Sequence, residues 1–183
     1  MHDEIAAISE DIEAYIRLID DCASYDQRVF FKELNKNMAK LYMNGLLLAD
    51  RYDRAEVATW DEEDEEDDSY LEEDETPADE ERLERRYAIY KRAESKLTTY
   101  LGAADTYNLI QPYPLTEDEP EEAYTTTLSN DLAEIYEDLK EVLPELENGT
   151  IDSVEFVVRF DHWGDHLTRA LYIVHNLLSW YDD

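Results

Sequence analysis

Residues 128–146 read LSNDLAEIYEDLKEVLPEL. Leu128, Leu132, Ile135, Tyr136, Leu139, Val142, Leu143 and Leu146 recur at intervals of three and four, the repeat of an α-helix that buries one stripe. Pro144 lacks a backbone donor and predicts a kink in the last turn, and Asn148-Gly149 supplies a left-handed stop. The same spacing continues through most of the chain, which has only four glycines and five prolines in 183 residues. These patterns predict an all-α protein, a helical bundle of about five helices forming one domain over residues 1–183.

Working outward, Ile5, Ile8, Ile12, Tyr15, Ile19 and Cys22 form the stripe of a first helix. Cys22 continues that stripe, so it reads as a buried structural thiol and not a nucleophile. A second helix is predicted from about Asp26 to about Tyr52, with Phe31, Leu34, Met38, Leu41, Gly45 and Leu48 on its seam. Glycine inside a helix costs up to about 1 kcal/mol against alanine, so Gly45 on the seam predicts a close helix crossing. Thr76-Pro77 followed by Asp79, Glu80 and Glu81 makes a helix entry, and Gly102 marks the end of that third helix. Residues 103–122, with Pro112, Pro114 and Pro120, predict an irregular connection. The fifth helix is predicted from near Thr150 to about Tyr181. Phe156, Phe160, Trp163, Leu167, Ala170, Val174, Leu177 and Tyr181 fall within about 100° of arc at 100° per residue, which marks it as the most deeply packed helix.

The charge narrows the possible functions. Forty-eight acidic residues face 16 basic ones, a formal net charge of −32. Such a chain repels phosphate backbones and anionic headgroups, so a nucleic-acid reader or a membrane-surface protein is excluded as the leading reading. Twelve of the fifteen residues 61–75 are Asp or Glu. Like charges repel and bury nothing, so residues 61–77 are predicted to be a flexible acidic insertion. That run contains no glycine for an EF-hand turn. With 43% hydrophobic residues the rest of the chain is too apolar for a disordered polymer. The amino terminus has no basic-then-apolar leader, no apolar run reaches the roughly 18 residues of a membrane span, and one cysteine forms no internal disulfide. A cytoplasmic location is expected.

Little in the chain invites chemistry. His162-Trp163-Gly164-Asp165-His166 places two histidines at i and i+4 and resembles the inverted zinc-protease motif with Asp in place of Glu. A third ligand is not evident, and Asp165 projects about 100° away from His166. The pair His162 and His166 therefore reads as flank histidines, with a metal site as the rival. His175 lies about 180° around the helix from His166 and shares no ion with it; it reads as hydrogen-bonded to a neighbouring helix. Glu134, Glu137, Asp138 and Glu141 read as a solvated surface. No cofactor is expected, since no glycine-rich phosphate loop, nucleophile elbow or Cys-x-x-Cys is present.

Four segments together resemble a bacterial all-helical family designated only as a domain of unknown function. They are residues 41–48 (LYMNGLLL); Leu101-Gly102 with Asp105 and Tyr107; residues 128–139 (LSNDLAEIYEDL); and Trp163-Gly164, His166-Leu167, Ala170-Leu171 and His175. The resemblance implies a compact helical bundle in a bacterial cytoplasm and carries no assigned activity. It also marks Asp105, Asp131, Tyr136, His166 and His175 as recurring polar positions. With Trp163 they make up either a buried polar network or the lining of a groove, and the network is the preferred reading. The expected function is a non-catalytic protein-interaction or regulatory module whose partner is a protein with a basic surface. A metal-dependent hydrolase using His162 and His166 is one alternative, and an acidic mimic of nucleic acid is another.

Overall fold

A computed structural model describes residues 2–50, 77–110, 123–151 and 153–181. Apart from Pro77, the acidic insertion expected at 61–77 lies outside these residues. Five helices are described: α1 (His2–Asp20), α2 (Gln27–Ala49), α3 (Pro77–Leu101), α4 (Leu128–Asn148) and α5 (Ser153–Tyr181). The bundle is thus all-α in class, as the periodicity requires.

The helix ends follow local chemistry. A 3₁₀ turn at Cys22–Ser24 links α1 to α2, and the Asp26 side chain caps α2 by accepting the Arg28 N–H at 3.0 Å. Gly102 (φ +56°) and Gly149 (φ +64°) turn the chain left-handed after α3 and α4, the conformation that most disfavours a side chain. Despite Pro144, α4 continues to Asn148.

The connection at 103–122 is more ordered at its ends than the prolines imply. β1 (Thr106–Ile110) pairs antiparallel with β2 (Ala123–Thr127), in register Thr106 to Thr127 and Ile110 to Ala123. Threonine, tyrosine and isoleucine are strand formers, and those residues flank the Pro-rich stretch rather than share it. Residues 111–122 lie outside the description. The hairpin delivers the chain directly into α4, whose N-cap is Thr127, with its hydroxyl accepting the Asn130 N–H at 3.2 Å.

Helices α1, α2, α4 and α5 surround the core, and α3 packs along the outside of α4. The crossing of α2 and α5 rests on Gly45: a Cβ there would lie 2.2 Å from the Phe160 ring. Phe160 in turn sits edge-on to Trp163, ring centroids 4.8 Å apart, and both are buried. The most enclosed helix is α4, not α5 as its apolar stripe predicts. The stripe measures only one face, whereas α4 also has its polar face covered by α3 and the hairpin, leaving Ser129, Asp131, Glu137 and Asp138 buried. Among the described residues no helix is long and apolar enough to cross a membrane.

Candidate functional site

The polar face of α4 carries the unusual chemistry of the molecule, in two clusters one after the other along the helix. The first lies at its N-terminus. Asp105, just after α3 and its 3₁₀ turn, is 4% exposed. Its Oδ1 accepts the Ser129 N–H at 2.6 Å, its Oδ2 accepts the Ser129 hydroxyl at 2.8 Å, and its carbonyl accepts the Leu128 N–H at 2.7 Å. Thr98 of α3 donates to the same Ser129 hydroxyl at 2.9 Å. Asp105 therefore acts as a second cap, supplied from outside the helix. Its negative charge sits at the positive end of the α4 dipole.

One turn on, Asp131 is 1% exposed and surrounded by donors. The Tyr107 hydroxyl donates to Oδ2, His166 Nδ1 lies 2.9 Å from Oδ1, and Arg169 Nη2 lies 3.3 Å from Oδ1. Arg169 Nη2 also lies 2.7 Å from His166 Nδ1. One ring nitrogen cannot both donate to the carboxylate and accept from the guanidinium, and the buried carboxylate decides the matter. We assign the proton to Nδ1, which donates to Asp131, with Arg169 paired to the carboxylate. Beneath this cluster Tyr15 donates to the Leu132 carbonyl at 2.9 Å, and burial first, then the Asp131 charge, pushes its hydroxyl pKa well up.

The second cluster lies at the middle of α4. Arg86 of α3 forks onto Glu137, with Nη2 at 2.8 Å from Oε2 and Nε donating to Oε1; Nη2 also reaches Asp138 at 2.9 Å. Arg82 donates to Glu141 at 2.6 Å, and Arg159 of α5 reaches Glu141 at 3.6 Å and Glu145 at 3.3 Å. His162 Nδ1 meets Asp138 Oδ2 at 2.8 Å. These acids thus form an ion-paired seam between α3, α4 and α5, not the solvated surface their spacing implies. A helical wheel of α4 alone has no way to register that α3 covers that face.

The seam shifts two carboxyl groups in opposite directions. Burial works to raise Glu141, but the Arg82 hydrogen bond and the charges of Arg86, Arg82 and Arg159 outweigh it and hold the group below the usual carboxylate range. Glu134 has no such partner among the described residues. Burial pushes its carboxyl up, with Asp138 and Glu137 adding to the rise and the His166 and His162 fields opposing it.

The sequence-predicted site residues therefore separate. Asp105, Asp131 and His166 meet at the start of α4. Tyr136 is elsewhere, donating to Asp20 Oδ1 at 2.7 Å. Trp163 is fully buried in the core, and its indole N–H finds no acceptor among the described residues. His175, expected to bond a neighbouring helix, is exposed and joins neither cluster among the described residues. The His162 and His166 rings are tilted 56° to each other with centroids 5.5 Å apart, each turned to its own carboxylate. Among the described residues no group of three His, Cys, Asp or Glu is placed to hold a metal ion. Sequence reading missed Arg82, Arg86 and Arg159. The signal that locates two of them is the concentration of bases on α3, where positions 82, 85, 86, 91, 92 and 96 hold six of the chain's sixteen.

Fold and site define an all-helical bundle whose central helix carries its charged face inward, clasped by a hairpin and a fifth helix. The chain belongs to the family described as Domain of unknown function (DUF5063), which matches residues 1–179. Its fold is similar to the crystal structure of protein BF1032 from Bacteroides fragilis, with a TM-score of 0.55 at 15% identity, over 95% of this chain and 91% of that one. No curated protein matches the sequence.

Proposed function

We propose that this protein is a non-catalytic interaction module of the bacterial cytoplasm, whose partner is a protein presenting a basic surface. The observation that carries the reading is the outward face of α5. Val158, Asp161, Asp165 and Tyr172 fall within about 60° of arc at 100° per residue, and Trp180 lies at the edge of the same stripe. Tyr172 is 64% exposed and Trp180 75%. Exposed aromatics flanked by carboxylates are what a partner rich in Lys and Arg engages, through buried anchors and cation–π contact. Asp105, Asp131, Glu137, Asp138 and Glu141, by contrast, are engaged by donors within the bundle. The buried thiol of Cys22 fits a reducing compartment.

Affinity capture from the native host tests this reading. Wild type is expected to retain a protein that high salt releases and that a Tyr172→Ala, Trp180→Ala double variant retains poorly. Equal retention by both would refute the assignment of this face, and a retained DNA-binding protein displaced by duplex DNA would favour a nucleic-acid mimic.

A further inference from the structure

Bases are scarce in this chain, yet three of them converge. Arg92 and Lys96 of α3 and Lys140 of α4 line a cavity of about 690 Å³ where the end of α1 meets those two helices. Its floor is apolar, made by Ile19, Ile89 and Ala93. One carboxylate, Asp20, faces them, so the cavity holds a surplus of two positive charges in a protein of net charge −32.

Capping α1 explains part of this cluster. Lys96 Nζ donates to the Asp20 carbonyl, and Lys140 Nζ lies 3.8 Å from the Asp20 carboxylate, both suited to the negative end of a helix. Arg92 is not explained in that way. It is exposed and makes no ion pair with the described residues. Its charge nevertheless acts on Tyr136, whose hydroxyl is pushed up by burial first and by its bond to Asp20, and which therefore remains a donor at the cavity wall.

We propose that this cavity binds a small organic phosphate monoester. The phosphate is held by Arg92, Lys96 and Lys140, and the apolar body rests on Ile19, Ile89 and Ala93. A phosphate monoester carries about −1.5 to −2 charges at neutral pH, which matches the local surplus. A planar guanidinium with no carboxylate partner among the described residues is suited to bidentate contact with its oxygens. The volume is that of a small-molecule site with an apolar floor and a few convergent polar groups. The repulsive field of the whole protein disfavours any anion, so retention at this point depends on these local contacts. The site is independent of the partner face on α5, and either assignment can fail without the other.

Calorimetric titration of the full chain with phenyl phosphate tests the proposal. The expected result is saturable 1:1 binding, with inorganic phosphate and benzoate each weaker by about tenfold or more, since each lacks one half of the recognition. Arg92→Gln should weaken phenyl phosphate by about tenfold or more, and Asp20→Asn should tighten it by removing the competing carboxylate. Lys36→Gln, at a remote pair with Glu33, should change nothing. Arg92 is exposed, so its variant should keep the wild-type urea midpoint. No saturable heat with phenyl phosphate would overturn the proposal, as would binding unchanged by Arg92→Gln. Benzoate binding as tightly as phenyl phosphate would also overturn it, because the site would then be one for carboxylates.

Discussion

Replacing Asp105 should destabilise the whole bundle although the residue lies in a short connection. Asp105→Ala leaves the Ser129 N–H without its acceptor and the Ser129 hydroxyl with only Thr127 Oγ1 at 3.2 Å, in a site where Ser129 is 1% exposed. An unsatisfied buried donor costs about 1–3 kcal/mol. Loss of a negative charge from the first turn of α4 adds about 0.3–1 kcal/mol, nearer 2 in a partly buried setting. Together these give about 1–4 kcal/mol, toward the upper end in this buried setting. The Leu128 N–H bond to the Asp105 carbonyl survives, so the connection itself should hold. Asp105→Asn should recover roughly half of the loss, since an amide oxygen still accepts the Ser129 N–H while the charge is gone. Urea denaturation followed by circular dichroism measures both variants. In a double-mutant cycle with Ser129→Ala, which removes the hydroxyl bond and keeps the N–H bond, the two losses should be partly non-additive. A wild-type midpoint for Asp105→Ala would refute the cap.

Other perturbations follow from the same geometry. Gly45→Val should cost about 1–3 kcal/mol or more by overpacking against Phe160, and Phe160→Leu should relieve part of it, as read from unfolding midpoints. Arg86→Ala should cost about 2–3 kcal/mol, because Glu137 stays buried without its partner, Asp138 keeps only His162, and the one-third exposure of Arg86 softens the penalty. The two shifted carboxyls give opposite pH signatures. Glu141, held low, contributes stability that is present above the unfolded carboxylate pKa and lost as pH falls through its folded value. Glu141→Gln should therefore lower stability at neutral pH and flatten the acid limb. Glu134, held high, contributes stability that is lost as pH rises through its folded value, so Glu134→Gln should stabilise the neutral protein. Replacing residues 61–75 by a short Gly/Ser linker removes twelve carboxylates and should leave the low-salt unfolding midpoint unchanged or higher. A fall of more than a few degrees would contradict it.

How much of this the sequence discloses depends on the range of the interaction. Helix stripes are local, and so are the stops at Gly102 and Gly149 and the cap at Asp26; all are visible in a window of a few residues. Gly45 is legible because a glycine on an apolar seam has few other uses, and Phe160 is what meets it. The hairpin is hidden by the prolines between its strands, although Thr106 to Ile110 and Ala123 to Thr127 hold the strand-forming residues. The ion-paired seam is hidden for a different reason. Glu137 and Asp138 are polar residues on the outer face of their own helix, and only α3, some fifty positions earlier in the chain, makes that face an interior. The pairing of Asp131 with His166 crosses 35 residues, and no spacing rule within one helix relates them. His175 lies on the same helix as His166 but on its exposed side.

The most direct test concerns Asp131 and His166, because they decide whether the polar residues at the start of α4 hold the fold together or line a site. Urea denaturation of Asp131→Asn, His166→Ala and the double variant measures their coupling. The account predicts that each single variant is destabilised and that the double variant falls short of the sum by about 1 kcal/mol or more, while His175→Ala matches wild type. Wild-type midpoints for the single variants, or zero coupling between them, would contradict a structural network and make these residues the lining of a functional groove.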